Sequence, residues 1–553
     1  MSISPCLEDN LGFACTDLQC RLGRESAVAM RWLGSDGERT DLTFGQLAVE
    51  SSRFAAVLTR LGVAPGTRVF IMLPKLPEVF IAFLGGLKAR AVVGTLFANF
   101  GDEALWDRLG DARACVLLTK QSLLKKVHRI RDRLPDLRQV LLVDAADHQS
   151  PDLLSYRRLM SETSADFALA PTPPETPSIL HYTSGSTGKP KGVLHAHGAL
   201  PSIVKTTRDV LGVGPGDIFW CTADAGWVTG TSYGIIGPWA VGATQIHYGG
   251  SFDAGAWMTI LAQERVNVWY TAPTALRMLM REEASLYTGR HLEALRCVAS
   301  VGEPLNPEIT FWARRTLGKE IHDTWFQTET GAIMIANRPG LTVRPGSMGK
   351  VVDGVEAVIL DNAGHSLPAG QQGRLCLRRG WPSMFTQYLN RPDVYASRFH
   401  GEYYDSGDMA VRDPDGYFWF VGRTDDVINT SGHLVGPFEI ESVLMELPEV
   451  AEAAAVSAPD PIRFEKVVVF ICLRPGRSPS RELESRIRLH VANRVSSVAS
   501  PQDVVFVTSL PRNRSGKIMR RVLRARFLGQ DEGDLSSMET WRTDEMGDRR
   551  ERV

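Results

Sequence analysis

Apolar residues recur at helical spacing between residues 43 and 61, where Leu47, Phe54, Val57, Leu58 and Leu61 follow Thr43 as a cap and Gly62 ends the run. That spacing places them on one face of a helix. Residues 69–73 form a short continuous apolar run, the mark of a buried strand. A second helical pattern after Pro77 (Val79, Phe80, Phe83, Leu84, Leu87) then leads into strand-like 91–97. The alternation continues: Asp102 caps a helix, 115–119, 140–143 and 218–221 read as strands, and 269–274 closes a strand before a helix over 275–281. Asn306-Pro307-Glu308 opens a helix that Gly318 stops before a strand from Glu320. Strands alternating with helices call for a large sheet covered on both faces. Between 354 and about 422 the runs shorten and turn residues crowd in, which predicts a β-rich subdomain. Beyond residue 424 strands near 453–457, 466–473 and 503–508 mix with helices near 437–447 and 481–495.

The expected fold is therefore α/β. A large N-terminal domain of doubly wound sheets with a β-rich subdomain covers 1–424, a small mobile C-terminal α+β domain covers 425–530, and a charged tail covers 531–553. The tail is poor in apolar residues and is expected to be loosely ordered. No internal repeat is present.

Composition then removes several classes of function. The 62 basic and 63 acidic residues leave a formal charge of −1, and no apolar run is long enough to cross a bilayer. Neither nucleic acid nor a membrane is an expected partner. Glu8, Asp9 and Asp17 occupy the N-terminus without a basic start ahead of an apolar block, so no signal peptide is expected and the default location is cytoplasmic. The 8 cysteines lack any C-x-x-C pair, which predicts free thiols rather than zinc ligands or disulfides.

The chemistry starts at 179–195, where Thr183, Ser184, Gly185, Ser186, Thr187, Gly188 and Lys189 stand between apolar runs. Backbone amides of a glycine-rich loop, together with small hydroxyls and lysine, can wrap phosphate oxygens. This is not a Walker A motif, because Thr183 and Pro190 stand where its first glycine and its Ser/Thr belong. By composition alone such a loop is more often a linker. The full run, however, resembles the phosphate loop of the acyl-adenylate-forming superfamily. Joining a carboxylate to adenylate brings two anions together, so cations and alignment are needed. Glu329, in Gln327-Thr328-Glu329, is a natural ligand for magnesium bridging phosphate oxygens. Asp408 can accept both ribose hydroxyls, and Arg423 can reach ribose or phosphate with a planar fork. Arg514-Ser515-Gly516-Lys517 puts a lysine on a glycine-hinged loop. Each of these alone has a bland reading as a turn or solvated surface group.

Taken with Gly226-Trp227-Val228-Thr229-Gly230, Ser300-Val301-Gly302-Glu303-Pro304 and residues 324–331, these motifs resemble the AMP-forming acetyl-CoA synthetases from about 102 to 536. The resemblance implies two half-reactions that use ATP, Mg2+ and CoA: acid and ATP give acyl-AMP and pyrophosphate, then the CoA thiol takes the acyl group and AMP leaves. It implies that Gly302, Glu303 and Pro304 with Asp323, Thr324, Trp325, Phe326, Gln327 and Thr328 line the nucleotide. Asp408 would hold the ribose, with Arg423 assisting, and Lys517 would promote adenylation. Asp425 would be the hinge, Ser431 and Gly432 would face the CoA arm, and Lys125 and Lys126 are candidates for its phosphate end. Enzymes that acylate and deacylate Lys517 are implied partners.

The resemblance places the acyl wall on Val228, Thr229, Val301 and Phe326. Many acetate enzymes have a second Trp at the last position, and enzymes for longer acids tend to have Gly. A methylene is worth about 1–3 kcal/mol of discrimination, so acetate is the first choice, propionate is tolerated and octanoate is not. A somewhat larger or branched acid is the alternative. An amino-acid-activating module would need an Asp in this wall, and it has none. A nucleotide-binding protein without turnover is opposed by the full set Lys517, Glu329, Asp408 and Arg423. Two departures stand out: Leu434 follows Ser431-Gly432-His433 where relatives usually have Arg, and Leu447 stands where they often have a His for a structural cation, so that ion is not expected.

Overall fold

The computed structural model describes residues 9–183, 189–431, 433–513, 517–533, 535 and 538. Ser184, Gly185, Ser186, Thr187, Gly188, Gly432 and most of the 531–553 tail lie outside the described residues.

Local chemistry sets the helix boundaries. Thr43 accepts the Gln46 amide while the Gln46 side chain takes the Thr43 amide, a reciprocal cap that opens the helix Phe44–Arg60. Gly101, not Asp102, holds the cap of Asp102–Asp111; the Asp102 carboxylate sits in the first turn, where the helix dipole favours it. Asn306 precedes the helix Pro307–Thr316 without capping it by its side chain. That side chain is engaged elsewhere, as described below.

The alternating pattern resolves into two sheets. In the first, Arg68–Met72, Val92–Leu96, Val116–Thr119, Gln139–Leu142 and Leu153–Ser155 run parallel. Pro177–Thr183 joins beside Val92–Leu96, and Lys191–Ala196 returns antiparallel to it. The second has a parallel centre of Thr244–Tyr248, Ile218–Cys221, Val268–Thr271, Cys297–Val301 and Ile321–Trp325. It continues antiparallel through Ile335–Ala336 and Ser347–Val351 into Phe418–Arg423, Tyr403–Arg412, Gln372–Arg378 and Ala357–Leu360. The β-rich subdomain thus grows from the edge of a doubly wound sheet. The largest buried apolar cluster joins Val69, Ile71 and Val93 of the first sheet to Phe219 and Tyr270 of the second, with Phe80 and Phe83 of the helix Pro77–Lys88 and Tyr233 of the helical segment Ser232–Ile236 in the same cluster. Burying that cluster is the main force fixing the two sheets to each other.

The C-terminal unit is a separate five-stranded sheet of Ile428–Thr430, His433–Val435, Val450–Asp460, Phe464–Leu473 and Asp503–Val507. Helices Pro437–Leu444 and Arg481–Arg494 cover its core, which includes buried Leu447. A third helix, Arg520–Leu528, escapes the hydrophobic pattern because arginines interrupt it. It buries only Val522, Leu523 and Ala525, and is pinned by Arg520 to the buried Glu441 at 2.7 Å. Among the described residues Cys15, Cys20, Cys115, Cys221, Cys297, Cys376 and Cys472 are free. None of the described helices is long and apolar enough to cross a membrane.

Candidate active site

Parallel strands deliver the site. Cys297–Val301 and Ile321–Trp325 pair with Val301 opposite Thr324, so Gly302-Glu303-Pro304 and Phe326 to Glu329 emerge side by side at their carboxyl ends. Ligand sites in open α/β sheets form at this edge. The antiparallel pair Tyr403–Arg412 and Phe418–Arg423 brings Asp408 opposite Arg423.

Asp408 is buried and held from three sides. Its Oδ2 accepts from Trp325 Nε1 at 2.9 Å and Gln327 Nε2 at 3.0 Å, and its Oδ1 from Arg423 Nη1 at 2.9 Å. Tyr404 donates its hydroxyl to Gln327 Oε1 at 3.0 Å, which fixes the amide that holds the carboxylate. Two carboxylate oxygens offer about four lone-pair sites, so acceptor capacity remains for hydroxyls of a ligand. Gly407 next to it has φ +72; a Cβ there would lie 3.1 Å from Arg423 Nη2 and 3.2 Å from Arg398 Nη2, so both guanidinia crowd this strand.

Glu329 accepts the Tyr388 hydroxyl at 2.7 Å. The half-buried Lys191 is drawn below the ordinary lysine value by desolvation; Glu329 opposes this, and Arg398, Arg423 and Arg391 add to it. His195 Nε2 lies 2.7 Å from the Thr328 carbonyl. Gly331 has φ +70, and a Cβ there would lie 2.4 Å from the Ser383 carbonyl oxygen, so only glycine lets the segment close here. Among the described residues no group of three or more His, Cys, Asp or Glu gathers as a metal cage. One carboxylate with an uncommitted oxygen fits magnesium that arrives on substrate phosphates.

Lys517 reaches the same cleft. It is in contact with solvent, yet desolvation and Arg423 push its ammonium below the usual lysine value, while Asp408, Glu303 and Glu329 pull the other way. Four sequence-distant segments therefore converge on one place. Glu303 is partly buried; desolvation alone would raise its carboxyl, but Arg277 and Arg512, with hydrogen bonds from Thr274 and Arg277, hold it below the ordinary value.

Asp323 is different. Burial raises it from 3.8 to about 7, against the Ser300 hydroxyl donating at 2.6 Å. The folded protein keeps a proton that the unfolded chain has released between pH about 4 and 7, so this group's contribution to stability falls as pH rises through that window and levels off above it. The full loss is about 4 kcal/mol. Asp323→Asn removes the slope: the wild-type unfolding midpoint relative to that of the variant should drop from pH 5 to about pH 7 and level off toward pH 8. Parallel midpoints across that range would refute it.

Val228 and Thr229 open the short helix Val228–Thr231, and Ser232, next along the chain, donates to the Gly331 carbonyl at 2.8 Å. Phe326 meets Tyr233 edge-on, ring centres 5.4 Å apart. Tyr233 and Val301 belong to the main apolar cluster with Phe326 packed on it.

The other expected residues make contacts outside this centre, except Asp425, which borders it. Lys189 extends to Asp107 at 3.8 Å and over the Trp106 ring. Lys126 donates to the Ala98 and Phe100 carbonyls at 3.0 and 2.9 Å, while Lys125 is exposed on the same helix. Asp425 lies 3.8 Å from Arg423 between the body and the C-terminal unit. Ser431 has φ +53 and pairs its amide with the Arg463 carbonyl within that unit; Leu434 beside it is exposed. Tyr388, Arg398, Lys191 and His195 were not singled out from sequence. Lys191 and His195 fall inside the 179–195 run, but Tyr388 and Arg398 have no local motif and become visible only when the strands pair.

The sequence signature described as "AMP-binding enzyme" matches residues 20–389, and that of the "AMP-binding enzyme C-terminal domain" matches 439–517. The chain belongs to the AMP-binding enzyme family. Within it, the chain is 45% identical to an acetyl-coenzyme A synthetase of Bacillus subtilis over 96% of its own length and 92% of that protein's. It is 36% identical to the Pyrobaculum arsenaticum acetyl-coenzyme A synthetase over 96% of this chain and 85% of the relative. Among solved structures of AMP-binding enzymes, an anthranilate CoA ligase in complex with anthranoyl-AMP superposes with a TM-score of 0.86 at 29% identity, covering 94% of this chain and 97% of that one. The large N-terminal domain and small C-terminal domain are those of adenylate-forming enzymes.

Proposed function

We propose that the chain is an AMP-forming acetate–CoA ligase. The convergence of Lys517, Arg423, Asp408 and Glu329 on one cleft carries this reading, and the curated relatives named acetyl-coenzyme A synthetase support it. In the first half-reaction an acetate oxygen attacks the α-phosphorus of ATP and the bond to pyrophosphate breaks. Lys517 and Arg423 offset the charge that gathers there. Asp408 holds the ribose hydroxyls, the 302–304 and 323–328 segments line the base, and the 183–189 loop takes the phosphates. Glu329 would hold magnesium, which when bound shields the phosphate oxygens from the incoming carboxylate. In the second half-reaction the CoA sulfur attacks the acyl carbon, the bond to AMP breaks and the thiol proton passes to solvent. For this the unit beyond Asp425 turns, bringing Ser431 and Gly432 toward the CoA arm, with Lys125 and Lys126 near its phosphate end. One site serves both steps. The acidified amine of Lys517, carried on an exposed residue, also makes it the position at which lysine-acylating enzymes would switch off the first step alone.

The acyl wall of Val228, Thr229, Val301 and Phe326 sets the acid. CoA-dependent AMP release, measured with straight and branched acids from acetate to octanoate, should peak at acetate, with propionate close behind. A peak at six carbons or more would overturn the acetate assignment. A peak at a branched short acid would select the alternative substrate, and no turnover with any acid would defeat the ligase reading.

A further inference from the structure

The helix Pro273–Met280 touches both the nucleotide-lining segment and the C-terminal unit. On its inner side Thr274 and Arg277 bind the Glu303 carboxylate. On its outer side Thr274 Oγ1 accepts from Arg512 Nη1 at 3.2 Å, and Arg281 just past its end lies 3.0 Å from Glu452. Arg512 and Glu452 both belong to the C-terminal unit and pair with each other at 3.0 Å, with side chains only 14% and 15% exposed. A second tie runs alongside. Asn306, having left its helix uncapped, donates to Ser442 of the C-terminal unit at 3.1 Å and lies 3.4 Å from Arg277. Arg512 is five positions ahead of Lys517 in the chain, so whatever fixes Arg512 against the body also fixes where Lys517 arrives.

We propose that Arg281, Glu452 and Arg512, with Thr274 and the Asn306–Ser442 bond, form a latch that holds the C-terminal unit in the orientation delivering Lys517 and thereby sets the balance between the two half-reactions. None of the three charged residues needs to touch a substrate; they are positioning residues. Because Thr274 serves Glu303 and Arg512 at once, a nucleotide pressing on the 302–304 segment is felt by the latch, and the coupling is reciprocal. The Arg512–Glu452 pair is partly desolvated, which makes it costly to break on one side, while Arg281, 44% exposed, braces Glu452 from the body.

The inference rests on the adenylate-forming reading, and the test separates the two. Arg281→Ala, Glu452→Ala and the double variant are assayed in the full chain for acetate-dependent ATP–pyrophosphate exchange and for thioester formation from supplied acetyl-AMP and CoA. The latch predicts a fall of about five- to tenfold in exchange for Arg281→Ala, with thioester formation unchanged or raised up to about threefold, and little further loss in the double variant. An equal fall in both half-reactions would mean a merely structural role and overturn the latch, as would no change in either. Small-angle scattering of the unliganded chain gives a readout independent of activity. The Arg281→Ala profile should depart from the wild type as the C-terminal unit leaves its seat, and superimposable profiles would overturn the latch. If the wild type gives neither exchange nor thioester formation with any acid, the ligase reading fails, and the scattering comparison alone then decides whether these residues seat the C-terminal unit.

Discussion

Lys517→Ala should slow acetyl-AMP formation by about 100- to 1,000-fold and leave thioester formation from supplied acetyl-AMP within about threefold of wild type. The asymmetry follows from where the charge is. In this orientation the ammonium shares its cleft with Arg423 and faces Asp408, Glu303 and Glu329. A unit charge about 4 Å from a phosphate oxygen at a surface-like dielectric is worth roughly 4 kcal/mol, close to three powers of ten in rate. Truncation removes that charge without opening a hole, since the side chain is exposed. On the proposed mechanism the C-terminal unit turns away for the second half-reaction, so the lysine would be absent from it either way. The lowered ammonium value adds a pH signature: adenylation should lose rate with rising pH earlier than an ordinary lysine would allow, and the variant should lack that limb. The measurement is exchange against thioester release, each across pH. Wild-type exchange in the variant would remove Lys517 from the chemistry.

The fold was legible to the extent that burial is periodic. Phe44–Arg60 and Pro77–Lys88 have one clear apolar face or a continuous apolar run, and both lie where the pattern puts them. Which strands share a sheet was not legible, because period says which face is buried and not which strands are neighbours; Pro177–Thr183 joins Val92–Leu96 across a long stretch of chain. Arg520–Leu528 was missed for a related reason. Its Arg520 binds Glu441 and its Arg526 binds Glu532, while Arg521 and Arg524 stay exposed, so a purely polar reading of that segment fails. In the site, residues carried by contiguous strings such as 323–329 are visible in the sequence as candidates. Tyr388 on Glu329 and Thr274 on Glu303 are not, since a hydroxyl aimed at a carboxylate leaves no trace in spacing. Asn306 shows the same limit from the other side: it has the form of a helix cap, yet its side chain is committed to Ser442.

Phe326→Gly should invert the acid preference. The wild-type ring is wedged edge-on against Tyr233, and Tyr233 is not free to move: its hydroxyl contacts Thr206 at 2.7 Å and accepts the Ile333 amide at 2.8 Å, and its ring also meets Tyr270 edge-on. Removing the Phe326 ring therefore opens space that a rigid wall keeps open rather than one that collapses. Acetate, too short to fill it, loses contact and alignment, and its kcat/KM should fall by about 100-fold. Hexanoate gains room for its added methylenes at about 1–3 kcal/mol each, so its kcat/KM should rise at least 100-fold. Misfolding cannot produce the second half of this result, because a damaged site loses activity toward every acid. If acetate falls and hexanoate fails to rise, Phe326 is not the end wall of the acyl pocket, and the boundary must lie with Val228, Thr229 and Val301.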